Sequence, residues 1–318
     1  MGHTVGVDLG GHFIKVGLVD EDGNVMLRTE APTMADRGRE ASLRQLVGTV
    51  RDFLSRCREY GTPEGIGVGS PGLVDVEAGI VRFSPNFPGW LEVPLRQTLQ
   101  EATGLPVALG NDANIAALAE NTFGAGKDLK TFVFATLGTG VGGALILDGR
   151  LFTGPLGAAG EVGHITVDPN GPRCNCGNYG CLERFVGIDY IVERAREKLR
   201  TWEGETLIPN MVEGDMDKLT PKHLSDAAEL GDRLALKVWE EIGTYLGLNP
   251  EAFVLGGGVS NAGEVLLRPI RETIRKRAMQ IPAGLVRVLR AQVGPDAGVI
   301  GASLSPLSTS LSLHAPHP

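Results

Sequence analysis

The sequence predicts an α/β protein of two similar lobes with a cleft between them. Residues 5–19 form an opening of apolar strand, glycine-rich turn and second strand, and a similar opening begins at residue 131. Helical patterns follow the strands in both halves. Strands mixed with helices in two similar halves indicate a duplicated α/β domain.

The first half begins with a meander. Residues 5–9 predict a strand that ends at Gly10-Gly11, and a second apolar run covers 13–19. An Asp-Gly turn then leads into a third strand at 25–27. A helix follows, because apolar residues recur at spacings of three and four before Gly61: Leu43, Leu46, Val47, Val50, Leu54 and Cys57. We interpret Cys57 as a core residue of that helix.

Strands are next predicted at 66–69 and 107–109, and a helix follows Asn111-Asp112. The second half repeats the opening, with a strand at 131–137, a turn at 138–143 and a return strand at 144–147. Residues 191–246 read as mostly helical. One more strand, 253–255, ends at three glycines.

Composition narrows the classes of partner. The chain has 318 residues and a formal net charge of −8, without a basic cluster interleaved with aromatics, so we expect no nucleic-acid partner. No apolar run is long enough for a membrane helix, so we expect no membrane partner. Because Met1-Gly2-His3-Thr4 runs directly into a strand, we expect no signal peptide and a cytoplasmic protein.

Glycines in the second opening suggest an anion site. Gly138-x-Gly140-x-x-Gly143 matches the dinucleotide fingerprint, but that motif needs a following helix and here a strand follows. We therefore favour a phosphate-binding hairpin, in which backbone amides and the Thr139 hydroxyl approach an anion. A plain tight hairpin is the alternative.

Two acidic positions have two interpretations each. Asp8 stands at a strand end beside a glycine turn, where it could act on Mg²⁺ directly or through water, or cap its own turn. Asn111-Asp112 stands where a strand leads into a helix. The pair could be a helix N-cap, or Asp112 could be a general base that takes a proton from a hydroxyl.

The cysteine spacing is the strongest motif. His164, Cys174, Cys176 and Cys181 fall in one glycine-rich stretch, and in a reducing compartment they predict a tetrahedral Cys₃His zinc site. With all four positions filled by protein, the zinc would be structural. Glu161 and Glu183 flank this loop, where carboxylates could accept hydrogen bonds from a polyol.

These motifs together resemble those of the ROK family of sugar kinases and repressors. The resemblance spans residues 5–303 and rests on short segments: Asp8-Leu9-Gly10-Gly11, Gly69-Ser70-Pro71-Gly72, Asn111-Asp112, the 138–143 turn, Glu161-Val162-Gly163-His164, the 174–183 cysteine run and Leu255-Gly256-Gly257-Gly258. It implies an actin/hexokinase-like fold (a duplicated ribonuclease H-like fold) with ATP in the cleft. It also implies a C-terminal helix, from Asp296-Ala297-Gly298, that crosses back onto the first lobe.

The resemblance also assigns residues. Asp112 is the implied catalytic base, and the implied sugar contacts are Asn86, Asn111, Asp112, Glu161, His164 and Glu183. The implied contacts with ATP and Mg²⁺ are Asp8, Gly10, Gly11, His12, Gly138, Thr139, Gly140, Gly256 and Gly257. The domains would be 1–115 with 296–306, then 116–295 including the zinc loop at 164–181, with 307–318 as a loose tail.

Two features depart from the family pattern. His12 stands where the family has Thr. Either the imidazole replaces the hydroxyl as a donor to phosphate, or the affinity for ATP is weaker. The stretch 245–250 is short by two or three helical turns, either through a deletion or through missing residues.

The resemblance favours a kinase over a repressor, because the first strand at Val5 leaves no room for a helix-turn-helix. The segment 85–90, Pro-Asn-Phe-Pro-Gly-Trp, is most similar to that of glucokinases, so we expect transfer of phosphate from ATP to the 6-hydroxyl of glucose. N-acetylmannosamine, N-acetylglucosamine or fructose as the acceptor, or a non-catalytic sugar sensor, are the alternatives. The resemblance also implies a homodimer or homotetramer.

Overall fold

The computed structural model describes residues 2–84, 87–246, 252–277 and 286–304. Numbered along the chain, the strands are β1 (Thr4–Leu9), β2 (Phe13–Val19), β3 (Val25–Pro32), β4 (Ile66–Ser70), β5 (Leu73–Asp75), β6 (Ile80–Phe83), β7 (Leu91–Val93), β8 (Val107–Asn111), β9 (Phe132–Leu137), β10 (Val141–Leu147), β11 (Arg150–Phe152), β12 (Ala252–Gly256) and β13 (Arg287–Arg290).

The helices are α1 (Arg39–Cys57), α2 (Leu95–Thr103), α3 (Asp112–Phe123), α4 (Glu183–Val186), α5 (Ile188–Arg200), α6 (Ile208–Met211), α7 (Pro221–Glu229), α8 (Arg233–Tyr245), α9 (Glu264–Arg277) and α10 (Ala297–Leu304). None of the helices in the described ranges is long and apolar enough to cross a membrane.

Contacts divide the chain into two compact units. The first contains 1–130, 144–160 and the described residues from 292 onward, and the second contains 131–143 and 161–291. The first unit thus extends past the expected boundary at 115, because α3 continues unbroken to Phe123. The expected loose tail at 307–318 and most of the short stretch 245–250 lie outside the described residues.

The two main sheets have the same strand order. The first is β3-β2-β1-β4-β8 and the second is β11-β10-β9-β12-β13. In the first sheet β1 pairs antiparallel with β2 and parallel with β4, and in the second β9 pairs parallel with β12. This repeated order confirms the duplicated α/β fold that the two glycine-turn openings predicted.

The first unit also contains a three-stranded sheet, β5-β6-β7, which was not predicted from the sequence. Its strands have only three or four residues. Its outer face carries an apolar row, Leu73, Phe83 and Leu91, which is exposed to solvent. Short strands with apolar residues on the solvent side lack the alternation by which a strand is recognised in a sequence.

Each unit has its own apolar core. In the first, odd-numbered residues of β1 (Val5, Val7 and Leu9) pack with α1 residues that include Phe53 and the buried Cys57, as predicted for that cysteine. In the second, α5, α7 and α9 pack around α8, which carries the fully buried Trp239. These cores hold the strand ends on which the candidate site residues stand.

Glycines bring α10 against the opposite face of β1. A Cβ on Gly6 would lie 1.8 Å from the carbonyl oxygen of Val299, and one on Gly301 would lie 1.8 Å from that of Ile115 on α3. Both would-be contacts are with backbone, which cannot move aside as a flexible side chain can. Some of the abundant glycine therefore serves close packing of this helix rather than ligand binding.

Gly301→Ala is expected to destabilise the protein by at least about 3 kcal/mol, because the added methyl group overlaps the α3 backbone. Gly48→Ala is the matched control, since Gly48 lies inside α1 with no atom within 4 Å of its would-be Cβ. That change should stabilise the protein by about 0.5–1 kcal/mol. Urea unfolding of both variants measures the difference, and equal midpoints would contradict the packing argument.

Candidate active site

Asn111 and Asp112 stand at the junction of β8 and α3, in the first unit. Asn111 is the helix N-cap: its Oδ1 accepts hydrogen bonds from the backbone N–H groups of Ala113 at 3.0 Å and Asn114 at 3.2 Å. Its amide nitrogen donates to the carbonyl of Gly72 at 3.2 Å. The capping role, which the sequence left open between the two residues, therefore belongs to Asn111.

Gly72 is a supporting residue to which the sequence analysis gave no role of its own. It follows β4 with a φ of 95°, and a Cβ there would lie 2.2 Å from the carbonyl oxygen of Phe83. Only glycine fits this turn without strain. The Gly-Ser-Pro-Gly turn thus fixes the orientation of the Asn111 side chain.

Asp112 is the first residue of α3. A hydrogen bond fixes its carboxylate, although the helix is already capped by Asn111. Oδ1 of Asp112 accepts a hydrogen bond from the N–H of Ala113 at 2.8 Å. Burial raises the pKa of Asp112 above its ordinary value, because desolvation outweighs the hydrogen bond from Ala113. A carboxylate with a raised pKa at a helix start is suited to accept a proton.

Asp8 lies on β1, on the same face as Gly6, and it packs against the first turn of α10. A Cβ on Gly298 would lie 2.6 Å from Asp8 Cγ. Burial raises the pKa of Asp8 to about 6, while Lys15 lowers it and the charge of Asp112 raises it. The charge of Asp112 therefore acts on the Asp8 carboxyl.

Lys15 is a second residue that our sequence analysis did not single out. It stands directly opposite Asp8 in the β1–β2 register, so both side chains lie on the same face of the sheet. Lys15 interrupts an otherwise apolar strand, and this interruption is the signal by which it could have been found.

Asp8→Asn is expected to raise stability at neutral pH. A buried acid whose pKa is raised binds protons more tightly in the folded state, so its ionisation lowers stability as pH rises from about 4 to about 6. The difference between the ordinary 3.8 and about 6 corresponds to about 3 kcal/mol. The melting-temperature advantage of Asp8→Asn should grow across this window and be constant above about pH 7; an advantage independent of pH would contradict it.

The turn after β1 is tightly closed. The N–H of Gly10 donates to the carbonyl of Phe13 at 2.9 Å, and the Thr33 hydroxyl donates to the carbonyl of Gly10 at 2.7 Å. The backbone of His12 is held by Thr33, whereas its side chain is exposed at the tip of the turn. The imidazole is therefore available to a ligand. Asn86 lies outside the described residues.

The second unit holds the predicted metal ligands. One ligand atom from each of His164, Cys174, Cys176 and Cys181 lies within 4.8 Å of the others. Nδ1 of His164 is 3.7 Å from Sγ of Cys174, and the Sγ atoms of Cys176 and Cys181 are also 3.7 Å apart. A tetrahedral site with zinc–sulfur bonds of about 2.3 Å has ligand atoms about 3.8 Å apart, so the set fits zinc.

The cysteine loop is folded around these ligands. The N–H of Cys174 donates to the carbonyl of Asn178 at 2.7 Å, and that of Gly180 donates to the carbonyl of Pro172 at 2.8 Å. All four cysteines of the chain are free thiols. Since Nδ1 of His164 faces the thiols, Nε2 is the nitrogen left for a ligand.

The carboxylates expected to contact sugar also lie in the second unit. Glu161 precedes the 3₁₀ turn Val162–His164 and is exposed, and its carbonyl accepts the N–H of His164 at 3.0 Å. Glu183 begins α4, and its Oε2 accepts the N–H of Val141 at 2.9 Å. The structure thus places Glu161, His164 and Glu183 beside or within the cluster of metal ligands.

Two of the glycine turns expected to hold phosphate, those at 138–140 and 256–257, meet at one end of the neighbouring strands β9 and β12. Gly138, Thr139 and Gly140 join β9 to β10, and a strand rather than a helix follows, which confirms the rejection of the dinucleotide fingerprint. Gly256 ends β12, which is parallel to β9. Gly257 has a φ of 77°, and a Cβ there would lie 2.4 Å from the carbonyl oxygen of Leu137.

Known proteins match this chain over most of its length. The model of the ROK family matches residues 4–306. A glucokinase of Thermotoga maritima is 40% identical over 308 residues, which cover 94% of this chain and 95% of that protein.

Two solved structures are similar over most of the chain. A ROK family glucokinase from Streptomyces griseus, crystallised with glucose and AMPPNP, matches with a TM-score of 0.82 and 34% identity, covering 96% of this chain and 100% of that one. A ROK family transcriptional regulator, a homologue of the E. coli MLC protein, matches with a TM-score of 0.86 and 28% identity, covering 98% of this chain and 79% of that one. With the family model spanning both units, the chain belongs to the ROK family and has its two-lobed, actin/hexokinase-like fold.

Proposed function

We propose that this protein is a glucokinase, which transfers the γ-phosphoryl group of ATP to the 6-hydroxyl of glucose. The observation that carries the proposal is the division of roles at the start of α3. Asn111 satisfies the helix end, so Asp112 keeps a half-buried carboxylate with a raised pKa for proton transfer. The similarity to glucokinases over most of the chain supports glucose as the acceptor.

In this proposal one residue acts as the base and the others hold the substrates. Asp112 accepts the proton of the 6-hydroxyl as its oxygen attacks the γ-phosphorus, and the bond from that phosphorus to the β-γ bridging oxygen of ATP breaks. Phosphoryl transfer of this kind depends mostly on positioning and charge stabilisation. The proposed sugar contacts are Asn86, Asn111, Glu161, His164 and Glu183.

The nucleotide would be held largely by backbone. The turns at Gly10-Gly11, Gly138–Gly140 and Gly256-Gly257 can bring backbone N–H groups close to phosphate oxygens, because their glycines carry no side chain. The N–H groups of Gly10 and Gly138 close the turns themselves, on the carbonyls of Phe13 and Gly140, so the other N–H groups of the turns are the proposed donors. Thr139 and His12, both exposed, add a hydroxyl and an imidazole donor. Asp8 is the carboxylate suited to hold Mg²⁺, directly or through water, and Mg²⁺ supplies neutralisation of the phosphate charge when bound.

A non-catalytic sugar sensor is the rival, because the fold also occurs in a transcriptional regulator. A sensor needs sugar contacts but has no use for a desolvated base. Among the described residues no ion pair is formed by Asp112, and keeping a half-buried carboxylate without a cationic partner is costly, as is usual at catalytic sites. Asp112 therefore favours the kinase.

The test is ADP release from MgATP with glucose, mannose, fructose, N-acetylglucosamine, N-acetylmannosamine or no sugar. We expect glucose to give the highest kcat/KM and the sugar-free reaction to be slowest. Turnover fastest with an N-acetylhexosamine or fructose would reassign the acceptor. Absence of sugar-dependent turnover, together with glucose binding by calorimetry, would favour the sensor.

A further inference from the structure

The segment that follows the cysteine loop is packed against the glycine hairpin at 138–140. The N–H of Val141, just after the hairpin, donates to Glu183 Oε2 at 2.9 Å. At the other end of the hairpin, the carbonyl of Gly138 accepts the N–H of Ile188 at 3.0 Å. The hairpin is therefore held at both ends by residues of the segment 183–188.

Between these two contacts there is no room for a side chain at position 140 or position 187. A Cβ on Gly187 would lie 2.8 Å from the carbonyl oxygen of Thr139, at the tip of the hairpin. A Cβ on Gly140 would lie 2.3 Å from Glu183 Oε2. The hairpin and the segment thus approach each other closely along the whole turn, and the Glu183 carboxylate occupies the space that a side chain at position 140 would need.

The second oxygen of the same carboxylate faces the metal ligands. Glu183 Oε1 lies 3.6 Å from Cys174 Sγ. Glu183 is also only two residues from Cys181 in the chain. One side chain therefore contacts both the Cys₃His cluster and the backbone of the hairpin.

We infer that Glu183 is a positioning residue for the nucleotide, one that transmits the rigidity of the metal-ligand loop to the phosphate-binding hairpin. This role is additional to the proposed sugar contact, and it rests on the proposed function. A hydrogen bond from a backbone N–H to an ionised acceptor is stronger than one between neutral groups. Its loss would leave the hairpin held at the Gly138 end alone.

The test compares Glu183→Ala, Glu183→Gln and the wild type by calorimetric titration with MgAMPPNP in the absence of sugar, so that the sugar contact does not contribute. Glu183→Ala should weaken nucleotide binding about tenfold. Glu183→Gln retains an oxygen acceptor for Val141 and should stay within about threefold of the wild type. Asp189→Ala is the control, because Asp189 is an exposed acid in the first turn of α5 that can be removed without changing the hairpin.

Further measurements separate positioning from general damage. Hydrogen exchange of the Val141 amide, followed by NMR, should accelerate in Glu183→Ala and remain slow in Glu183→Gln. Gly140→Ala, which displaces the carboxylate without removing it, should also weaken nucleotide binding. Metal content and melting temperature of each variant show whether the cysteine loop stays folded.

The inference is overturned if Glu183→Ala binds MgAMPPNP as tightly as the wild type does, or if Glu183→Gln loses as much affinity as Glu183→Ala. Either result would leave the proposed function standing. Wild-type protein that binds neither MgAMPPNP nor glucose would instead overturn the proposed function, and the nucleotide role of Glu183 with it.

Discussion

Asp112→Asn is expected to lower kcat for glucose phosphorylation by about 10³-fold while leaving glucose affinity within a few-fold of the wild type. The substitution keeps the shape of the side chain and an oxygen that can accept the N–H of Ala113, now at 2.8 Å from Oδ1. It removes the only property that the proposed mechanism requires of this residue, the ability to accept a proton. General-base groups of this kind contribute about 10²–10⁴-fold.

The measurement is ADP release at saturating glucose and MgATP, with glucose binding followed separately by calorimetry. Stability should be unchanged or higher, because a neutral amide is less costly to bury than an ionised carboxylate and Asn111 still caps α3. Asp189→Asn is the matched control: it also removes an acid from the first turn of a helix, but an exposed one. It should retain full activity.

The opposite results are equally informative. If Asp112→Asn kept more than a tenth of wild-type kcat, Asp112 would not be the base, and the carboxylate would serve the helix start. If kcat and glucose affinity fell together with the melting temperature, the residue would be structural. The pattern that supports the proposal is loss of kcat alone.

Which of Asn111 and Asp112 caps α3 could not be predicted from the sequence. Both residue types are favoured at helix N-caps, so composition alone left either one as the cap. The choice depends on which side chain reaches the N–H groups of Ala113 and Asn114, and that depends on the carbonyl of Gly72, distant in the chain. Local pattern cannot encode such a contact.

The strands and helices that could be predicted are those whose own residues show a recognisable pattern. The hairpin openings have glycine turns between apolar runs, and α1 has apolar residues at helical spacing. Helix α10 is different: it includes Gly298 and Gly301, which disfavour a helix, and was expected only from the family resemblance. Its glycines are explained by close packing on Asp8 and Ile115, which the chain acquires only when folded.

Another residue that the sequence did not reveal is Glu120 on α3. It is fully buried, and its carboxylate accepts backbone N–H groups from Ala125 at 2.8 Å, Gln292 at 2.9 Å and Val293 at 2.7 Å. These hydrogen bonds tie the chain after α3 to the segment that leads into α10. A glutamate in a helix is normally a solvated charge, so nothing in the local pattern set it apart.

The clustering of the metal ligands is the feature that the spacing predicted best, because three thiols and an imidazole within one loop have few other uses. Its contribution to stability follows from what surrounds it. Ile165, Val167 and Tyr179, the large apolar residues of the loop, are 50%, 39% and 53% exposed. The loop therefore has little apolar packing of its own, and the proposed zinc would replace a core as its source of order.

Cys176→Ser is accordingly expected to abolish zinc binding and to lower stability by about 4 kcal/mol, a fall in melting temperature on the order of 10 °C. Cys176 is the exposed member of the four ligands, so its replacement removes little packing and the loss reports the metal. Cys57→Ser is the control: it changes the one buried cysteine outside the cluster and should retain one zinc per chain. Elemental analysis gives the metal content, and thermal unfolding gives the stability.

A chelator completes the test. Wild-type protein stripped of metal should unfold at the temperature of Cys176→Ser, and the chelator should leave that variant unchanged, because both then lack the same bonds. Activity measured well below either melting temperature should also fall, mainly through a higher KM, because the proposed contacts His164 and Glu183 belong to the metal cluster and its flank, whereas the proposed base Asp112 belongs to the first unit. A zinc-free Cys176→Ser protein with wild-type stability would show that the four side chains cluster without the metal and that the loop is ordered by its hydrogen bonds alone.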